Sequence, residues 1–350
     1  PQRENLTDEN AAACRAFSHG YRYTGEDAYR RTAERTVEYL TTDLWTGEAF
    51  AASQGGNDAY YRLEATERAG ADPPGVDGTV LAGHNGLAVD ALLTYAAYTD
   101  DERARRYAER ARDYLVEELV SDDGGVTHYR EPVSGDDSRA ENGEAGETGL
   151  LVAQARTLTG LTTAGAVLGE PGPARAVADY AIENLRGGVV DEPGDGSADS
   201  DDPETLAFRD GPTDGPGLLD RPLYPLDTNA ELANALLDLW SLTDDDRYRE
   251  AATGALAAFA DATDRMGVEV AGYATAVARA RDPQVVAVGT PAGTDLHRAA
   301  LRVADHEAVV VPDAPGVADG IAVASRGETH RESANPDELM GAVATLTSDG

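Results

Sequence analysis

Residues 98–115 read YTDDERARRYAERARDYL, and three other stretches of this 350-residue chain repeat their design. In each copy, a segment rich in Ala and Leu ends in a short acidic turn, and an amphipathic segment rich in Arg, Glu and Ala follows. The other copies are YTGEDAYRRTAERTVEYL from Tyr23, LGEPGPARAVADYAIENL from Leu168 and LTDDDRYREAATGALAAF from Leu242. They recur about every 70 to 75 residues, a period that suits two helices with one short and one long connection.

Apolar residues recur at helical spacing in the second segment of these copies. Examples are Ala104, Ala108, Ala111, Leu115 and Leu119, and Tyr29, Ala33, Val37, Leu40 and Leu44. The first segments, such as Leu87–Tyr98 and Leu232–Leu242, are apolar over more of their circumference. We therefore predict an all-α toroid of helical hairpins, with the first helix of each hairpin in the inner layer. Thr99 and Glu102 have the spacing of a capping box, which would begin the second helix.

The composition changes at Asp282-Pro283, where short β-branched runs replace the helical pattern. Strands are predicted at Gln284–Gly289, Ala308–Val311 and Ile321–Ala324, with helices at Asp295–Ala304 and Pro336–Leu346. The sequence thus predicts a helical domain over residues 1–282 and a small α/β subdomain over residues 283–350. The turn after the first strand has neither the lysine of a P-loop nor the GxGxxG of a dinucleotide-binding loop, so we predict no nucleotide cofactor.

The charge balance excludes several classes of partner. Arg contributes all 29 basic charges against 64 acidic ones, and the net charge is −35. Nucleic acid and anionic membrane surfaces require clustered cations, which this chain lacks. Because the acidic residues are spread along the chain, we interpret them as adaptation to molar salt, where the Debye length is about 3 Å. An acidic binding face for a cationic ligand would instead predict clustering.

Cysteine, histidine and hydropathy patterns narrow the function further. The single cysteine, Cys14, excludes an internal disulfide and a cysteine-rich zinc site. The six histidines show no metal-ligand spacing, so we predict no metal and no cofactor. No apolar run approaches the roughly 20 residues that span a bilayer, and no signal peptide begins the chain. These patterns predict a cytoplasmic protein.

Four stretches resemble the thioredoxin-domain-containing family that includes spermatogenesis-associated protein 20. PQRENLTDENA at residues 1–11 is similar to the family's PHFEKMLYDQA, and VLAGHNGLAVDAL at residues 80–92 is similar to its VLTSWNGLMIAAL. Residues 225–237 resemble its PSGNSVAA stretch, and residues 284–313 with 335–339 resemble its terminal region. His84 stands where the family has tryptophan, and the segment at Glu147 has lost most of the family's Asp-Asp-Tyr-Ala.

The resemblance implies an (α/α)6 barrel similar to N-acylglucosamine 2-epimerases and six-hairpin glycosidases. The barrel would be incomplete here, because the family's first hairpin and its thioredoxin-like domain have no counterpart in this sequence. A diverged haloarchaeal branch, or a fragment of a longer protein with a thioredoxin-like domain upstream, would each explain this.

The candidate site residues lie at the predicted starts of inner helices and in the long Gly-rich loops. Loops of this kind would gather at one mouth of the toroid. We predict that His84 acts as a general base and that Glu147 and Asp227 supply carboxylates at the starts of the third and fourth inner helices. Glu147 and Asp227 also have structural alternatives, Glu147 as a favourable charge at the helix dipole and Asp227 as a helix cap, and Asn85 beside His84 is also an ordinary N-cap. The predicted substrate-binding residues are Glu4, Tyr61, Asn85, Tyr129, Arg130 and Asn229.

The leading hypothesis is a carbohydrate-related barrel protein of the 2-epimerase and six-hairpin glycosidase class, binding a small carbohydrate. Whether catalysis is retained, weakened or lost stays open. The alternative is a non-catalytic scaffold or interaction domain of a thioredoxin-like protein. The sequence does not decide the sugar or the oligomeric state.

Overall fold

The computed structural model describes residues 4–132, 144–187, 206–212, 222–261, 267 and 271–348. By its internal contacts the chain divides into two units. The first unit contains residues 1–119 and 127–147, and the second contains residues 120–126 and 148–350. This division lies elsewhere than the predicted boundary at 282/283, because the C-terminal sheet belongs to the second unit together with two hairpins.

The first unit contains two helical hairpins and two small sheets. Its hairpins are α1 (Thr7–Thr24) with α2 (Asp27–Thr42), and α5 (Ala82–Thr99) with α6 (Glu102–Tyr114), which continues into a π-helical turn at Leu115–Leu119. The short helices α3 (Asp58–Tyr61) and α4 (Ala65–Arg68) lie in the connection between the hairpins. The strands are β1 (Asn5–Leu6), β2 (Ser53–Gln54), β3 (Val76–Asp77), β4 (Val80–Leu81) and β5 (Tyr129–Arg130). β1, β2 and β3 pair in that order, and β4 pairs with β5, all antiparallel.

The second unit contains two more hairpins and the α/β part. The hairpins are α7 (Leu151–Leu168) with α8 (Gly172–Asn184), and α9 (Leu226–Thr243) with α10 (Asp246–Ala257). The helix α11 (Ala271–Arg281) packs against α9 and leads into the sheet. The remaining elements are β6 (Gln284–Val288), α12 (Asp295–Val303), β7 (Val309–Val311), β8 (Ala322–Arg326), β9 (Thr329–Ser333) and α13 (Pro336–Ser348).

The C-terminal sheet has the order β7-β6-β8-β9, with β6 parallel to β7 and antiparallel to β8. The three predicted strands and both helices are confirmed. The fourth strand, β9, was missed because its sequence THRES carries no apolar run and four of its five residues are exposed. The buried His297 attaches α12 to α7: its Nδ1 accepts from the Gly293 backbone at 3.1 Å, and its Nε2 lies 2.8 Å from the Ala166 carbonyl oxygen.

Burial follows the predicted alternation in two of the hairpins, α5 with α6 and α7 with α8. In the hairpin of α5 and α6, α5 is buried around most of its circumference, whereas α6 buries only Ala104, Ala108 and Ala111. In the second unit, α7 is buried as extensively as α5, whereas α9 and α10 each bury half of their residues. In the first hairpin, α1 and α2 bury four residues each, so the alternation is not seen there. The prediction for Tyr29 was wrong: its side chain is 36% exposed and stacks on Phe17. No helix in the described ranges has the length and apolar content needed to cross a bilayer.

The turns inside the hairpins differ from the predicted capping box. Thr99 is the last residue of α5, and its hydroxyl donates to the Tyr95 carbonyl at 2.7 Å. Asp100 follows with φ 57°, in the left-handed region. Asp101 is the actual N-cap of α6, since its Oδ1 accepts from the Ala104 backbone at 2.8 Å. The predicted helix start was therefore wrong by two residues.

Candidate functional site

A histidine and a carboxylate meet where α1 and α5 begin. His84 is the third residue of α5, and its Nε2 lies 3.5 Å from Oδ2 of Asp8, the second residue of α1. The other oxygen of Asp8 accepts from the Glu9 backbone at 2.9 Å. Only 17% of the His84 side chain and 20% of the Asp8 side chain are exposed. The arrangement is a largely buried pair of titratable groups, one basic and one acidic.

Two further segments of the first unit lie beside the start of α5. The Ala82 backbone donates to the His128 carbonyl at 2.9 Å, and the His128 backbone donates to the Glu147 carbonyl at 2.8 Å. Burial lowers the pKa of the His128 imidazole. Glu147 is exposed and lies before α7, which begins at Leu151, so the predicted helix start was wrong. Gly149 has φ 84°, in the left-handed region, and lies between Glu147 and the start of α7 at Leu151.

The two other candidates near this segment differ in their surroundings. The Tyr129 ring makes a T-shaped contact with the His128 ring, with 5.9 Å between the ring centroids. Gly146 allows this packing, because a Cβ at that position would lie 2.4 Å from Cδ1 of Tyr129. Arg130 donates through Nη2 to the Glu118 carbonyl at 2.7 Å and lies 3.6 Å from Oε2 of the same residue. Arg130 therefore holds the end of the π-helical turn.

Glu4 and Tyr61 lie around the three-stranded sheet of the first unit. Ser53 Oγ donates to Oε2 of the exposed Glu4 at 3.4 Å. The Tyr61 hydroxyl donates to Oε1 of Gln54 at 3.2 Å, and the Tyr39 hydroxyl donates to the same oxygen at 3.1 Å. Burial is the main cause that raises the pKa of Tyr61. Tyr61 thus ties α3 to β2 while part of its ring stays at the surface.

The two predicted asparagines have structural partners for their amide groups. Asn85 accepts from the Phe50 backbone at 2.8 Å and donates to the carbonyls of Phe50 (2.9 Å) and Leu81 (3.0 Å). In the second unit, Asn229 binds Phe208 and Pro225 in the same way, at 2.7 to 2.8 Å. Both side chains are buried. They join an inner helix to the loop that precedes it, and a direct contact with substrate stays a prediction.

Asp227 is the second residue of α9, at the predicted start of the fourth inner helix. It is exposed, and its Oδ1 accepts from the Thr228 backbone at 2.8 Å. Asp8 has the same position and the same hydrogen bond in α1. Asp227 and Asn229 belong to the second unit, so grouping them with His84 stays a prediction.

Metal and thiol chemistry find no support in the described part of the chain. No group of three or more His, Cys, Asp or Glu side chains in those ranges could hold a metal ion. Cys14 is buried in α1, and burial raises the pKa of its thiol to about 12. A thiol in this state is a poor nucleophile at neutral pH.

Comparison with known proteins identifies the fold. No family model matches the sequence, and no curated protein sequence matches it. Among solved structures, a cellobiose 2-epimerase from Bacillus thermoamylovorans B4167 superposes with a TM-score of 0.53 at 13% identity, covering 74% of this chain and 61% of the epimerase. A family 76 glycoside hydrolase from a bovine Bacteroides thetaiotaomicron strain superposes with a TM-score of 0.51 at 13% identity, covering 73% of this chain and 48% of the hydrolase.

These matches confirm the predicted fold class, an (α/α)6-type helical-hairpin fold with a small C-terminal α/β part. The chain spans about half to three fifths of the length of the two structures. At this identity the likeness concerns the fold alone. The link to the thioredoxin-domain-containing family gains no support from these comparisons and stays a prediction from the resemblance.

Proposed function

We propose that this protein binds a carbohydrate where α1 and α5 begin and acts on it by acid–base chemistry at the Asp8–His84 pair. The observation that carries the proposal is the Asp8–His84 pair, with 3.5 Å between Nε2 and Oδ2. Histidine changes its charge near neutral pH, so such a pair can accept and return a proton. The fold shared with a cellobiose 2-epimerase and a family 76 glycoside hydrolase makes a sugar the favoured substrate class.

The other candidates take roles that fit their positions. Glu147 is an exposed carboxylate of the first unit that we propose as a further acid–base group, and Asp227 is a separate candidate carboxylate in the second unit. Glu4, Tyr61 and Tyr129 offer a carboxylate and two ring faces for hydroxyl recognition and stacking. Asn85 and Arg130 would support the site by holding its loops in place, and Asn229 would hold the corresponding loop of the second unit.

Two reactions would use this chemistry. In 2-epimerisation, a base removes the proton from the carbon next to the carbonyl of an open-chain sugar, and the proton returns on the opposite face. In glycoside hydrolysis, an acid protonates the leaving oxygen while a second carboxylate acts on the other side of the sugar ring. The first reaction exchanges a carbon-bound hydrogen with solvent, and the second releases a new reducing end.

One experiment separates these outcomes. The protein is incubated with cellobiose and with mannobiose in D2O at about 3 M KCl, which keeps surface charges screened. NMR then monitors deuterium at C2 and the appearance of new reducing ends. We expect one of the two signals, and we expect His84→Ala to reduce it by about 100-fold or more. His330→Gln, an exposed histidine on β9, is the matched control and should leave the signal unchanged.

The alternative, a non-catalytic scaffold, predicts a different result. If neither signal appears and calorimetry detects no binding of these sugars at millimolar concentration, the carbohydrate proposal fails. The scaffold hypothesis would then be the better account of the chain.

A further inference from the structure

We infer that Asp8 is the group of the Asp8–His84 pair that contacts the ligand and exchanges the proton, and that His84 is a positioning residue. This inference rests on the proposed function. It assigns the chemistry to a residue that the sequence gives no reason to select, because Asp8 reads as an ordinary acidic residue in the first turn of a helix.

The orientation of the imidazole ring supports this assignment. Nε2 of His84 faces the carboxylate of Asp8, and Nδ1 is buried from solvent. Nδ1 is therefore closed to a ligand at the surface, and Nε2 is the ring nitrogen that faces Asp8. A carboxylate has about four lone-pair positions, so Asp8 can accept from His84 and from a ligand hydroxyl at the same time.

The carboxylate is also held in one orientation. Its Oδ1 accepts from the Glu9 backbone at 2.9 Å, which leaves Oδ2 directed at His84. An Nε2–H donor on His84 then orients the base. A proton passes from the ligand to Asp8, and its electron pair stays on the ligand atom.

Other charged groups near the pair have their own places. Glu4 precedes α1 and takes a hydrogen bond from Ser53. His128 and Glu147 lie on the segments beside the start of α5. Further along α1 and α5, Arg15 pairs with the buried Asp90 at 3.2 Å.

The experiment compares Asp8→Asn, Asp8→Glu and His84→Gln with Glu9→Gln, an exposed neighbour of Asp8 that serves as control. Glutamine retains an N–H donor in place of Nε2, whereas asparagine removes the ionisable group. In the assay with cellobiose or mannobiose, we expect Asp8→Asn to lose about 100-fold or more in rate. We expect His84→Gln to lose about 10-fold and Asp8→Glu to recover part of the rate, with Glu9→Gln unchanged.

The pair itself is tested without turnover. The His84 ring is followed by NMR as pH is varied in the wild-type protein, in Asp8→Asn and in Glu9→Gln. We expect its titration midpoint to fall by about one pH unit in Asp8→Asn and to stay in place in Glu9→Gln. Circular dichroism checks that each variant is folded.

Each outcome has one meaning. If the wild-type protein is active, and His84→Gln loses as much as Asp8→Asn or more, His84 itself contacts the ligand and the inference is overturned. An unmoved titration midpoint in Asp8→Asn overturns it as well, because the two groups would not be coupled. If the wild-type protein neither turns over nor binds the sugars, the proposed function fails first.

Discussion

An amide side chain occupies the fourth position of the first helix in each of the four hairpins. These residues are Asn10 in α1, Asn85 in α5, Gln154 in α7 and Asn229 in α9. Asn85, Gln154 and Asn229 bind the backbone of the loop before their helix, at Phe50, Val126 and Phe208 respectively. In these three helices the amide accepts from a backbone N–H of the loop and donates to a backbone carbonyl of the same loop, as a paired strand does.

Replacing Asn85 with alanine tests this role. The buried backbone N–H and carbonyl of Phe50 would lose their partner, and we expect a loss of about 3 kcal/mol in the free energy of unfolding. Denaturant unfolding at high salt measures it. Asn184→Ala is the control, since that exposed side chain donates only to the Tyr180 carbonyl at 3.0 Å, and it should cost less than about 0.5 kcal/mol. Equal losses in both variants would contradict the role of Asn85.

At the scale of elements, two of the hairpin turns contain adjacent aspartates, of which the first ends one helix and the second caps the next. α1 and α7 end at glycines with positive φ, Gly25 and Gly169, whereas α5 and α9 end at Asp100 and Asp244 with φ 57° and 54°. The next residue in the aspartate turns, Asp101 or Asp245, caps the following helix through its side chain.

Substitutions at these two positions should change stability differently. Asp101→Ala removes the acceptor for the Ala104 N–H and should destabilise the protein by about 1 kcal/mol. Asp244→Gly relieves a left-handed conformation at an exposed aspartate, and it should leave stability unchanged or raise it by up to about 1 kcal/mol. Thermal unfolding of the two variants is the measurement. A loss for Asp244→Gly as large as that for Asp101→Ala would contradict this division.

The elements themselves were largely predictable because their signals are local. Helical spacing of apolar residues located both helices of each hairpin, and β-branched runs located β6, β7 and β8. Helix starts were predicted less well where a side chain has more than one available partner. The Thr99 hydroxyl donates to the Tyr95 carbonyl, so Asp101 and not Thr99 is the N-cap of α6. Glu147 was misplaced because its backbone pairs with His128, a tertiary contact that the local sequence does not report.

The candidate site was only half predictable for the same reason. His84 was selected from its residue type and its place near a helix start. Asp8 was not, because its importance depends on the packing of α1 against α5, which brings together residues far apart in the chain. Asn85 and Asn229 occupy the same position in two repeats, the fourth residue of the helix, and the structure shows loop partners for their amides.

At the scale of the whole molecule, the acidic residues outnumber the arginines that could form ion pairs with them. If each of the 29 arginines were paired with one carboxylate, 35 of the 64 acidic residues would have no arginine. Several ion pairs in the described ranges are local, such as Arg105 with Glu109, Arg112 with Asp113 and Arg298 with Asp295. Local pairs with a solvent-exposed partner contribute little to stability. The remaining repulsion must be screened by dissolved ions.

The protein should therefore require salt to stay folded. Lowering the ionic strength from about 1 M to 0.01 M lengthens the Debye length from about 3 Å to about 30 Å, which extends repulsion across a chain of net charge −35. We expect the melting temperature, followed by circular dichroism, to fall steadily as KCl is reduced from about 3 M to 0.05 M. Choline chloride at equal ionic strength should restore stability if screening is the cause, whereas sucrose, which acts by exclusion from the surface, should restore much less. A melting temperature that does not change across the KCl series would refute adaptation to salt, and equal rescue by sucrose would assign the effect to hydration instead of charge.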